Sequence, residues 1–327
     1  MNATTLAKRS TPSLLSILLL IGSAGELSAT IQLPPVEADT QAESAPPSER
    51  ASSAGAGFSS GWRQSHLLAL RYNPLGLQDE SFLGYRWALR DLYGAPEENR
   101  LFGKSYLWTG AIGRFSPQFA QLGAFVKTLP IAVLELQGGF VRNFAFSDAD
   151  RVRESGLFTE GTKDALDVGQ VGSADAIITS GWQASLQARF QIKVGPIAAR
   201  NTNLFRRFEL DAEGESGRFY DQTLDVVTPF KSWVYQNDSD LLYAAEDSPW
   251  ILGLRYTITT PLSDEAQDIQ RVGPLFVWKF LSPEPEELSQ ALVVLSQWHL
   301  EHRSRTGQVM DQMIPYFAVL YSRSSSL

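Results

Sequence analysis

The stretch Ile177–Val194, IITSGWQASLQARFQIKV, decides the fold. Its even positions are Ile178, Ser180, Trp182, Ala184, Leu186, Ala188, Phe190, Ile192 and Val194. Thr179, Gly181, Gln183, Ser185, Gln187, Arg189, Gln191 and Lys193 take the odd ones. Successive side chains of a strand point to opposite faces, so one face of this run meets an apolar medium and the other meets water. Wound as a helix, the same residues would scatter their polar groups around the whole circumference. Strands of soluble domains run to about five or six residues, whereas a tilted strand crossing hydrocarbon takes roughly 9–11 and can project beyond it. The run reads as a membrane-crossing strand.

The same period recurs on either side. Leu83, Tyr85, Trp87 and Leu89 alternate with Gly84, Arg86, Ala88 and Arg90. Trp250, Leu252, Leu254, Tyr256 and Ile258 alternate with Gly253, Arg255, Thr257 and Thr259. Phe276, Trp278 and Phe280 stand opposite Val277 and Lys279, and Leu292, Val294, Trp298 and Leu300 stand opposite Gln297, His299 and Glu301. Aromatic rings near the ends of such runs suit the interface between headgroups and hydrocarbon. Between the runs lie turn signals such as Ser116-Pro117-Gln118, Gly195-Pro196 and Pro283-Glu284-Pro285, where proline cannot donate to a ladder.

The amino-terminal region has another character. Lys8 and Arg9 precede the apolar run Leu14–Gly22, and Leu27-Ser28-Ala29 supplies small residues for cleavage. Residues 1–29 are therefore expected to be a cleavable secretory signal peptide, its apolar core being too short to span a bilayer as a helix. Residues 30–61 are rich in Pro, Ala, Ser, Glu and Gly, which fits a flexible periplasmic linker. No later run approaches the roughly 18 apolar residues of a spanning helix, so a membrane crossing has to be made by strands. The chain has 327 residues, no cysteine and a formal net charge of -8. Disulfides, thiol chemistry and zinc ribbons are excluded, and a nucleic-acid partner is not expected of an acidic chain.

Together these features predict an all-β protein, a transmembrane antiparallel up-and-down β-barrel of about twelve strands over residues 62–327. Strands are expected near 65–73, 81–91, 105–115, 118–128, 131–144, 176–194, 196–212, 223–235, 249–260, 270–281, 289–302 and 311–322. A first strand rising from the periplasm makes 145–175 a long outer loop, either mobile or folded inward as a partial plug. A soluble periplasmic β-sandwich is the architectural alternative.

The signal segment Lys8–Ala29, the alternating runs from Ser65 to Ser322 and the closing segment Met313–Tyr321 resemble Gram-negative outer-membrane β-barrel proteins. The resemblance implies a porin-like protein of the outer membrane, inserted by the barrel-assembly machinery and in contact with lipid and lipopolysaccharide. The family's last strand ends on an aromatic residue, whereas here Ser322–Leu327 follows Tyr321, which makes those residues a tail.

On this phasing Arg71, Arg86, Arg90, Arg114, Arg189, Lys193, Arg255 and Lys279 face the lumen, and the acids lie mostly in connections. A basic lumen with low-dielectric walls favours anions. The expected function is a passive or loop-gated channel for small solutes, with no cofactor. One alternative is a non-conducting structural or surface-interaction barrel, its cations paired with Glu135, Glu209, Asp211, Asp225 or Glu301. Another is a lipid hydrolase using His302 and Ser304, because His302-Arg303-Ser304 resembles the His-x-Ser pair of outer-membrane phospholipases and lipid A deacylases. Those families continue with Asn, where this chain has Arg305. A metal site is not expected, since a regular strand points His299 and His302 to opposite faces.

Overall fold

The computed structural model describes residues 60–73, 76–90, 92–96, 99, 101–117, 119–145, 160–161, 180–211, 218–221, 223–245, 248–263, 268–280, 288–302 and 314–327. The expected signal peptide, the expected linker up to residue 59 and most of the 145–175 loop lie outside the described residues. The wall is built from β1 (Gly61–Tyr72), β2 (Gly76–Ala88), β3 (Tyr106–Phe115), β4 (Phe119–Ile131), β5 (Leu134–Ala145), β7 (Gly181–Val194) and β8 (Ile197–Leu210). It continues through β11 (Lys231–Tyr243), β12 (Trp250–Pro261), β13 (Ile269–Phe280), β14 (Leu288–Glu301) and β15 (Tyr316–Ser326). Three short strands, β6 (Glu160–Gly161), β9 (Arg218–Asp221) and β10 (Val226–Pro229), form a separate sheet in the order β10-β9-β6.

The wall is one closed barrel in the order β1-β15-β14-β13-β12-β11-β8-β7-β5-β4-β3-β2. The expected count of twelve and the up-and-down connectivity both hold, and closure rules out the two-sheet sandwich. Closure pairs every strand on both edges, which is what lets a sheet sit in hydrocarbon. The outer wall is greasy: Leu68, Leu70, Leu83, Leu186, Ile192, Leu252, Leu254 and Leu300 all point away from the lumen and are exposed. An apolar surface that extensive needs lipid to cover it. Rings at the strand ends nearer the termini cluster on that surface, with Trp62 edge-on to Tyr85 at 5.9 Å and Trp278 stacked on Phe280 at 5.6 Å.

Three expectations about strands need correcting. Residues 223–235 do not form one barrel strand, because Asp225 takes a left-handed φ of 57° and breaks the run. Val226–Pro229 then belongs to the small sheet, and the barrel strand begins at Lys231. Ser322–Ser326 is not a tail. It continues β15 against β1 as far as Ser326 opposite Arg63, and the Leu327 N–H donates to the Trp62 carbonyl at 3.2 Å. Ladder bonds are made by the backbone, so the serines carry the strand on without an apolar signal. The third correction lies in β14. Its pairing with β13 slips between Gln270, which faces Glu301, and Arg271, which faces His299, leaving Leu300 as an extra residue. The bulge shifts the side-chain phase by one, so His299 and His302 are both buried on the inner side.

Neighbouring strands also approach closely where inward-facing glycines meet. Gly84 and Gly110 are register partners in β2 and β3. A Cβ on Gly110 would lie 2.0 Å from the Leu83 carbonyl oxygen, and one on Gly84 would lie 2.1 Å from that of Thr109. Only a residue without a side chain permits that approach.

Candidate functional site

The start of β1 and the end of β15 lie on one side of the barrel, and the long connections β5–β7 and β8–β11 leave it on the other. The β8–β11 connection makes the site. Its strands β9 and β10 pair as a hairpin, with Val226 opposite Asp221. The hairpin tip, Thr223–Asp225, enters the lumen. Asp221 shapes the tip by accepting from both the backbone N–H and the hydroxyl of Thr223 at 2.7 Å.

Two arginines hold this tip from across the lumen. Arg71 of β1 donates to the Thr223 carbonyl at 3.0 Å, and Arg206 of β8 donates to the Thr223 hydroxyl at 3.0 Å. In the strand order, β15, β14, β13, β12 and β11 separate β1 from β8 on one side, and β7, β5, β4, β3 and β2 on the other. The hairpin is thus a crossbar anchored at the two ends of a diameter. Its flanks seal the rim, where Phe219, Leu224, Val226 and Phe230 pack with Phe119, Phe208, Leu210, Val234 and Ile269 from the wall. Glu160–Gly161 of the long outer loop adds a third strand to the hairpin. The described part of the plug is therefore the 218–229 hairpin, with only this contribution from 145–175.

Beneath the tip is a cavity of about 630 Å³, open solvent included, whose charged lining is Arg71, Arg114, Arg206, Arg271 and Glu80. Glu80 accepts from Arg114 Nε at 3.0 Å. Two further counter-charges come from the crossbar itself: Asp221 stands 3.9 Å from Arg206, and Asp225 stands 3.7 Å from Arg271. Further ion pairs run along the wall. Asp240 accepts from Arg200 Nε at 2.7 Å, from Arg200 Nη2, and from Arg255 Nε and Nη2 at 2.7 and 3.0 Å. Glu135 binds Lys127 at 3.2 Å, Arg189 at 2.8 Å and the Tyr106 hydroxyl at 2.9 Å. Toward the termini the lumen turns apolar, with Leu242, Ile251, Leu275, Val277, Val293, Leu295 and Leu320 buried together. Phe82, Trp108 and Phe125 fill another part with edge-on rings 4.9 Å apart.

Of the cations expected in the lumen, Arg71, Arg86, Arg114, Arg189 and Arg255 are buried inside the barrel. Arg71 and Arg114 meet at the cavity, Arg189 and Arg255 belong to separate wall ladders, and Arg86 lies 5.9 Å from the centre of the Tyr106 ring. Lys193 and Lys279 sit half-buried at the strand ends nearer the termini, apart from these ladders, and Arg90 lies in the turn after β2. The acids are not confined to connections, because Glu80, Glu135, Asp238 and Asp240 are buried on inner strand faces. Glu135 and Asp225 take the pairing roles expected of them. Glu209 pairs instead with Arg207 at 3.5 Å, and Asp211 with Arg142 at 2.8 Å on the exposed rim. Sequence reasoning missed Arg200, Arg206 and Arg271, which the parity of their strands could have placed inside.

His302 departs from the hydrolase expectation. It is 1% exposed, faces the interior and lies 3.2 Å from Asp225. Cutting lipid from the barrel exterior needs the imidazole on the lipid side, so this placement removes the geometry of that reading. Ser304 lies outside the described residues.

Fold and site define an integral membrane β-barrel whose lumen is entered by the 218–229 hairpin. No family model matches the sequence, and no curated protein does. Among solved structures the chain is similar to a KdgM porin, at 8% identity and a TM-score of 0.37 over 81% of this chain and 99% of that one. It is also similar to an OmpT loop-deletion mutant of Vibrio cholerae, at 8% and 0.34 over 82% and 99%. An anion-selective porin from Comamonas acidovorans matches at 9% and 0.31 over 82% and 99%. Likeness this distant says nothing of solute or gating.

Proposed function

We propose that the protein is an outer-membrane channel for small anionic solutes, held shut in this conformation by the crossbar. One observation carries the reading: the tip is clamped by Arg71 and Arg206 through a neutral carbonyl and a hydroxyl, above a cavity lined by four arginines. A carboxylate or phosphate reaching that cavity is a stronger acceptor for guanidinium than either neutral oxygen, so it competes with the clamp directly. Charge works in the same direction. When the hairpin leaves, Asp221 and Asp225 leave with it, which takes one carboxylate from beside Arg206 and one from beside Arg271, while Arg114 keeps Glu80. Opening thus unmasks positive potential between low-dielectric walls, which concentrates anions. The apolar zone below would act as a second barrier by dewetting.

A sealed, non-conducting barrel is the second reading, favoured by that apolar zone and by the Phe82–Trp108–Phe125 cluster. Single-channel recording in planar bilayers separates the two. The wild type is expected to open rarely, and replacing residues 219–228 with a short Gly-Ser linker is expected to give frequent, anion-selective openings. Thr223→Val, which removes the hydroxyl's bonds to Arg206 and Asp221 and keeps the carbonyl clamp, should raise open probability by roughly tenfold to a hundredfold, as for one charge-assisted hydrogen bond. Silence from the linker variant leaves the sealed barrel standing, and cation-selective openings reject the anion reading.

A further inference from the structure

We infer that Asp225, His299 and His302 form a binding site for a first-row divalent cation of the zinc class, at the junction of the crossbar and β14. Asp225 comes from the crossbar and His299 and His302 from the end of β14, and all three are buried. One donor atom from each can be chosen so that all three lie within 4.8 Å of one another. The two imidazole rings are 5.2 Å apart and inclined at 78°, and His302 Nε2 is 3.2 Å from Asp225 Oδ1. With metal–ligand bonds of roughly 2.0 Å, donor atoms of a tetrahedral site stand about 3.3 Å apart. One edge of the site already has that length, and the others close with side-chain rotations of an ångström or so.

Two backbone irregularities create this convergence. The β14 bulge brings His302 to the same side as His299, and the left-handed φ of 57° at Asp225 turns its carboxylate toward them. Neutral imidazole is the form that ligates a metal. Two nitrogens and one carboxylate oxygen suit zinc, cobalt, nickel or copper, whereas calcium and magnesium take oxygen ligands. Arg271 approaches the other carboxylate oxygen, Oδ2, at 3.7 Å, and its guanidinium lies 4.5 Å from the centre of the Tyr316 ring. Oδ1 faces His302. Arg271 and Tyr316, with Thr223 and Leu224 of the crossbar tip, line the cavity under the crossbar, so the site lies next to that cavity. A bound ion would tie the hairpin to β14. That latch role rests on the gating reading, whereas the site does not.

The test is titration of the folded, untagged, EDTA-stripped barrel in detergent with Co²⁺, followed by its visible d–d absorption and by displacement with Zn²⁺. The chain has three histidines and no cysteine, so the candidate nitrogen donors are few. One equivalent of Co²⁺ is expected to bind. His299→Gln and His302→Gln should each weaken binding by roughly 100-fold and Asp225→Asn by about tenfold, while His66→Ala leaves it unchanged. Variants are compared only where the heat-modifiable folded band persists. Should both glutamine variants fail to fold, Asp225→Asn and competition by Zn²⁺ against Ca²⁺ decide the matter. An intact wild-type barrel that gives no d–d bands, or the same binding after the ligands are replaced, overturns the site. Cobalt binding without any effect of Zn²⁺ on channel opening overturns only the latch.

Discussion

Replacing Asp240 by alanine is expected to cost the barrel about 3–5 kcal/mol of unfolding free energy, the range for removing one partner of a buried ion pair. The carboxylate is fully enclosed and accepts from both Arg200 and Arg255, its register neighbours in β8 and β12. Removing it leaves two guanidinium groups facing each other across a cavity. Asp238 lies 3.2 Å from Arg255, but it is already committed to that arginine and to the Thr257 hydroxyl at 2.6 Å. Urea unfolding in lipid vesicles, followed by tryptophan fluorescence, measures the loss. The rim pair Arg142–Asp211 is the natural control, since both side chains are about half exposed. Asp211→Ala should change stability by about 0.5 kcal/mol or less. If Asp240→Ala costs no more than Asp211→Ala, water reaches the ladder and the lumen is not dry.

The second large effect is geometric. Gly110→Val is expected to prevent the barrel from closing, because its Cβ would be driven to 2.0 Å from the Leu83 carbonyl oxygen and 2.5 Å from the Gly84 Cα. Both atoms are backbone, so no side chain can turn aside. The strain would exceed about 4 kcal/mol, beyond the range of ordinary substitutions. Refolding into detergent should then leave little of the compact band that migrates differently before and after heating. Gly94→Ala serves as a comparison: a Cβ there meets open space, although the φ of 60° makes the substitution mildly unfavourable. A Gly110→Val barrel that folds in wild-type yield would show that the close approach of β2 and β3 is not required.

How much of this was legible in the sequence depended on which medium each face meets. Strands such as β7 and β12 carry a greasy outer face and a polar inner one, and the contrast located them within a few residues. In β11 the contrast fails. Its outward positions include Ser239, which accepts from Asn201 of β8 on the lipid side, and Asn237, which accepts from Ser239, and its inward ones include Val234 and Leu242. With no apolar stripe to follow, the strand was placed eight residues early, and Asp238 and Asp240 went unrecognised as lumen residues. The cations of the candidate site were partly readable, because Arg71, Arg86, Arg114, Arg189 and Arg255 sit in alternating runs. Of their partners, Glu135 and Asp225 were among the acids expected to pair, whereas Asp221 was not, since a carboxylate in a turn-rich stretch reads as solvated whether it faces water or folds inward. The pairing of His299 with His302 was hidden for another reason. A bulge is a property of two strands in register, and no single strand's alternation announces it.

The crossbar carries a mechanical implication as well. A hoop of strands held by ladder bonds can ovalise, its circumference constant while one axis lengthens and the other shortens. A strut fixed at Arg71 and Arg206, with five strands between its anchors in either direction, opposes that squashing mode along its own axis. Sideways pressure from the surrounding lipid would therefore bear on the same two guanidinium contacts that hold the hairpin in place.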